Sequence, residues 1–172
     1  MLENKGNFGG VFTVECHDAD GNLKWEEEFP NLVVNTGLQY INTQLFTGVT
    51  YSASWFMGLV TGPGASNTYA AGNTMASHAG WSENLDYVQA ARPTMAFGTA
   101  TTADPSVIVT SSPVVFTMNA SSIIAGAFVT TNNTKNGTTG TLFSVGNFTV
   151  GDRTIVSGDT LNVTYTFSAD AA

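Results

Sequence analysis

The chain has 172 residues, a length that suits one domain able to bury about 70% of its unfolded surface without disulfide staples. Hydrophobic residues make up 42% and charged residues 10%, against about 25% charged in an average globular protein, so the sequence describes a packed fold whose surface relies on hydroxyls and amides. With a net charge of −8 and only five Lys and Arg, it lacks the basic patch that nucleic acid or an anionic membrane surface requires.

Residues 8–15 alternate apolar with small or polar side chains, as a half-buried strand does. Asp18-Ala19-Asp20-Gly21-Asn22 is turn chemistry, because Asp, Gly and Asn tolerate positive φ or cap their own backbone. Residues 23–29 alternate again, with Leu23, Trp25 and Glu27 on one face and Lys24, Glu26 and Glu28 on the other. The spacing predicts a β-hairpin over 8–29, closed by Pro30. From 32 to 46 the period changes: Leu38, Ile41 and Leu45 mark an amphipathic helix, with Asn35 or Thr36 as its cap and Gly48 as its stop.

Residues 54–60 read as a buried strand and 61–84 as a long loop with one short helical turn after 73. Beyond Arg92, strand-like runs alternate with turn signals at 94–98, 106–110, 113–118, 123–130, 141–149 and 160–168. The stretch 132–137 is a hairpin tip. The expected fold is mainly β: an antiparallel β-sandwich, jelly-roll-like, with an N-terminal β-hairpin and one short helix. One domain spans 1–172, divided into a hairpin or arm (1–30), a helix (31–48) and a sandwich body (54–172).

The chemistry-bearing residues assemble into no catalytic motif. Cys16 and His17 are neighbours, so on a strand their side chains point to opposite faces. One cysteine and two histidines give no metal-ligand spacing and no intrachain disulfide. The 18–22 turn starts like an EF-hand loop, but Leu23 stands where the loop needs glycine and Phe29 where it needs a bidentate glutamate. Ser77-His78 has no nucleophile elbow, and no phosphate-binding glycine loop is present. No enzyme activity and no cofactor are expected.

No apolar leader precedes residue 8 and no run is long enough to span a bilayer, so the sequence implies a chain made in a cytoplasm and kept off membranes. Seven of the thirteen carboxylates precede Phe29, which suits a basic protein surface as a partner for that end. Candidate interaction residues are Trp25, Glu26 and Glu28 on the hairpin, and His78, Trp81 and Arg92 further on. Trp25, Trp55 and Trp81 are also the side chains that would stack on sugars if exposed.

Three stretches carry a likeness. They are 16–25 followed by Asn31-Leu32-Val33-Val34-Asn35-Thr36-Gly37; Trp55-Phe56-Met57-Gly58-Leu59-Val60 with 73–81 and Ala91-Arg92-Pro93; and Ile124-Ala125-Gly126-Ala127-Phe128 with Ser157-Gly158-Asp159-Thr160-Leu161-Asn162-Val163-Thr164-Tyr165. In this order they resemble a family of small structural proteins of tailed bacteriophages. The resemblance implies a capsid cement or decoration protein on the outer surface of the virion head. Its partners are then the major capsid protein and copies of itself, as dimer or trimer. A tail or fibre component that recognises a glycan is the alternative. The family brings no catalytic residues to transfer.

Overall fold

Alternation along the first strand decides which way it faces. In the computed structural model, which describes residues 7–47, 51 and 54–171, β1 (Asn7–His17) buries Phe12, Val14 and Cys16 and turns Glu15 outward. β2 (Leu23–Pro30) returns alongside it, joined by a turn in which Gly21 takes φ 84° and Asp18 Oδ1 accepts the amides of Asp20 and Asn22, both at 2.9 Å. β12 (Thr160–Asp170) pairs with β1 along its whole length and buries Leu161, Val163 and Tyr165. The far edge of β12 is shared by β8 (Val114–Thr117) and β7 (Ser106–Val109). These five strands form one antiparallel sheet.

The second sheet runs β3 (Leu32–Val33), β10 (Leu142–Asn147), β9 (Ser122–Thr130), β4 (Trp55–Thr61) and β5 (Glu83–Asn84). β11 (Arg153–Ile155) continues beside β9, and β6 (Thr94–Met95) pairs with the start of β4. The chain crosses between the sheets four times. The fold is thus the mainly β, two-sheet antiparallel arrangement that the strand spacing implied, with an N-terminal hairpin and one helix. Residues 7–30 do not project as an arm, because β1 and β2 supply a wall of the core.

The main core lies between the sheets. Phe12 stacks on Phe29 at 5.1 Å and tilts against Tyr165 at 4.9 Å, and Phe29 meets the edge of Phe148 at 4.9 Å. A smaller cluster lies on the other side of the second sheet, where Met75 and Trp81 cover Val60, Phe128 and Val145. β9 therefore reads as a continuous apolar run, buried from Ile124 to Thr130, because both its faces are covered. The long 61–93 segment supplies that cover. The helical turn expected after 73 is replaced by a Thr74–Ser77 bridge, and the one short 3-10 turn here is Gly64–Ser66.

α1 (Asn35–Phe46) departs from expectation at both its cap and its face. Asn35 and Thr36 do not cap it: the cap position is Val34, without a side-chain bond, and Thr36 Oγ1 donates instead to the Leu142 carbonyl at 2.7 Å. Gly48, its expected stop, lies outside the described residues. Leu38 and Leu45 were expected to face the core, but Leu45 is 68% exposed and Leu38 37%. The helix instead seats on Gly37, which presses against the Phe143 carbonyl with no room for a Cβ. A close approach through one small residue rotates the leucine stripe outward. Gly37→Ala should therefore lift the helix and cost about 1–3 kcal/mol, a fall in Tm of about 2–4 °C per kcal/mol. Gly9→Ala, where a Cβ meets nothing within 4 Å, should leave Tm unchanged or slightly raised in the same thermal melts.

Candidate functional site

The described cations all find partners within the chain. A register shift between Cys16 and His17 leaves Lys24 as the extra residue of the hairpin, and its Nζ reaches Asp159 Oδ2 at 2.6 Å. Arg153 meets Glu27 through Nε at 3.0 Å and Nη2 at 2.9 Å, while Glu27 Oε1 also accepts the amides of Thr149 and Val150. Lys135 donates to the Tyr87 carbonyl at 2.8 Å and lies over the Tyr87 ring. Arg92 pairs with Glu83 in a two-point contact at 3.0 and 2.8 Å, with side chains 1% and 4% exposed. Every cation among the described residues is thus committed to a contact within the chain.

Among the described residues no Lys or Arg pairs with the carboxylates on the outer face of the hairpin. Glu15 lies directly opposite Glu26 in the β1–β2 register, and Glu28 follows two residues on, opposite Thr13. Glu15, Glu26 and Glu28 are all exposed. Like charges facing each other across a ladder destabilise it, so this face carries an electrostatic cost within the chain. His17 Nε2 lies 3.9 Å from Glu15 Oε2. Asp18 and Asp20 extend the acidic surface to the turn, and hydrogen bonds from Asn22 hold the Asp18 carboxyl below its ordinary range.

The remaining candidates lie elsewhere. Trp25 faces inward, with its edge toward Phe148 and the Arg153 guanidinium over its ring. His78, Trp81 and Arg92 do come together, but around a small cavity of about 120 Å³. His78 stacks on Trp81 at 4.1 Å, its Nδ1 is 3.1 Å from the Trp81 carbonyl, and Trp81 Nε1 donates to Asn73. Trp81 is 4% exposed and Arg92 2%, so neither offers a surface to a partner. Arg92 instead knits the 132–137 tip to the body, donating to the carbonyls of Asn132 and Gly137 while Glu83 accepts the Asn136 amide.

One concavity was not anticipated from the sequence. An apolar groove of about 640 Å³ opens at the end of the sandwich where β4 and β10 begin and β12 ends. Ile41 and Leu45 of α1 form one wall, with Trp55, Phe97, Phe143 and Phe167 among the others. Aromatic side chains interlock along it: Tyr40 on Trp55, Trp55 on Phe143, and Phe143 on Phe167. Among the described residues no charged side chain lines the groove; its titratable groups there are tyrosines, and burial pushes Tyr165 up to about 12. The sequence signal was there in α1, which carries an apolar stripe and no charged residue.

Among the described residues no group of three or more His, Cys, Asp or Glu is placed to hold a metal ion. Cys16 is fully buried in the main core, a different cluster from that of Trp81 beside His78, and desolvation pushes its thiol up to about 11. Cys16 should accordingly resist thiol reagents at pH 8 in the native protein and react fully once the chain is unfolded. Arg92→Met should cost about 3–5 kcal/mol in urea unfolding, because it leaves Glu83 buried and unpaired. Replacing both partners, as Arg92→Met with Glu83→Gln, should recover much of that loss. Compared with family models, with curated proteins and with solved structures, the chain matches none.

Proposed function

We propose that this chain is a structural protein of a tailed-phage particle, a capsid cement or decoration protein. It sits on the outer surface of the head and binds the major capsid protein through the acidic outer face of its N-terminal hairpin. The observation that carries the reading is the sorting of charge: the described cations are consumed within the chain, while Glu15, Glu26 and Glu28 stand side by side and exposed. A face that costs the fold stability is accounted for if a basic partner surface offsets the repulsion, since complementary potentials steer association and fix its register.

The likeness of three stretches to phage structural proteins supports the same reading. The apolar groove offers, among the described residues, apolar contact and tyrosine hydroxyls. Holding a particle together requires repeated surface contacts, which a rigid sandwich can present. The glycan-recognising fibre alternative relies on exposed tryptophans. Here Trp81 is buried and Trp25 and Trp55 are half-buried, which disfavours it.

Quantitative mass spectrometry of purified virions should give a copy number comparable with that of the major capsid protein. A few copies per particle would overturn the cement reading in favour of tail or fibre. The chain should be released as salt rises, because an exposed ionic contact is screened. Glu26→Lys with Glu28→Lys should weaken rebinding to stripped particles by about tenfold or more at low salt, since opposed like charges cost several kcal/mol.

A further inference from the structure

We propose that Asn136 is a latent deamidation site, held closed by the clasp that Arg92 and Glu83 make on the 132–137 tip. The sequence contains one Asn-Gly pair, Asn136-Gly137. In such a pair the glycine amide nitrogen can attack the asparagine Cγ, because no Cβ beside it shields the approach. A bond forms from the Gly137 nitrogen to the Asn136 Cγ. The bond from Cγ to the side-chain nitrogen breaks, and that nitrogen leaves as ammonia with the proton from the Gly137 nitrogen. Water then opens the five-membered imide at either carbonyl and leaves aspartate or isoaspartate at position 136. Water is the only co-reactant, and Asn136 is exposed to it.

What the fold withholds is the geometry. Cyclisation needs the Gly137 nitrogen released from its hydrogen bond and the Asn136 backbone free to turn Cγ onto it. Here the Gly137 N–H donates to the Thr134 carbonyl at 2.9 Å. Asn136 is held at φ 57° with its own N–H donating to Glu83 Oε2 at 2.7 Å. Arg92 fixes the flanks: its guanidinium donates to the carbonyls of Asn132 at 2.9 Å and Gly137 at 3.0 Å, and its backbone N–H to the Asn133 carbonyl at 2.8 Å. Lys135 Nζ adds bonds to the Tyr87 and Gln89 carbonyls at 2.8 and 3.2 Å. The Arg92 and Glu83 side chains are buried, so the clasp is anchored in the body while the residue it guards stands in solvent. Reaction therefore waits on a local opening of the tip, whose free energy the clasp sets. Conversion to isoaspartate is one-way for the fold: the extra methylene in the main chain prevents the tip from closing in the same register.

The site is intrinsic to the chain and independent of the proposed capsid role, so its test uses the purified full chain alone. Incubation at mildly alkaline pH, followed by peptide mass spectrometry, reads the conversion of amide to acid at position 136. The native chain should convert roughly tenfold or more slowly than the same chain unfolded in urea, because only the opened fraction reacts. Arg92→Met with Glu83→Gln removes the clasp without leaving a buried charge unpaired. That double variant, shown to be folded by circular dichroism and a cooperative melt, should convert about tenfold faster than the parent. Amide hydrogen exchange on the parent gives a reading that does not depend on any variant folding: the Gly137 N–H should be protected well beyond the unfolded rate. A native chain that deamidates as fast as the unfolded one, or a Gly137 amide that exchanges at the unfolded rate, overturns the closed clasp. A folded double variant that converts no faster than the parent overturns the role of Arg92 and Glu83. An unfolded chain that keeps its amide at position 136 overturns the site itself.

Discussion

β1 pairs with β12 residue for residue, from Asn7 opposite Asp170 to His17 opposite Thr160. This ladder sets the rest of the molecule. Its inner face supplies Phe12, Val14, Cys16, Leu161, Val163 and Tyr165, against which the second sheet closes. Its free edges receive β2 on one side and β7 with β8 on the other. Thr110 bridges the two short strands by accepting the Tyr165 amide at its Oγ1 and donating its own amide to the Tyr165 carbonyl. A ladder between segments so far apart in sequence is slow to close, because loop entropy is spent before any contact rewards it.

The buried ion pairs are a second consequence of the sandwich geometry. Removing a carboxylate and a guanidinium from water is expensive, and the mutual attraction repays it only when the remaining hydrogen-bonding capacity is used. Glu27 meets that condition with two backbone amides in addition to Arg153, and Arg92 meets it with two loop carbonyls in addition to Glu83. These networks tie loops to strands: Glu27 holds 149–153 onto β2, and Arg92 holds 132–137 onto the 83–92 segment. The described cations thus act as structural fasteners, while Glu15, Glu26 and Glu28 remain exposed.

The sequence was readable where one periodicity ruled. β1, β2 and β12 have one buried and one open face, so alternation located them within a residue or two. The 132–137 tip was legible through its Asn and Gly residues, and Asn136 does take a positive φ of 57°. Three things were hidden for physical reasons. β3, β5 and β11 are two or three residues long and exist only because a neighbouring strand edge is free to pair. Glu27 looked like one more surface acid, because nothing local shows that Arg153 arrives over it from 126 residues away. The groove depends on Gly37 letting α1 approach the Phe143 carbonyl, and no period in the sequence encodes which helix face then remains open.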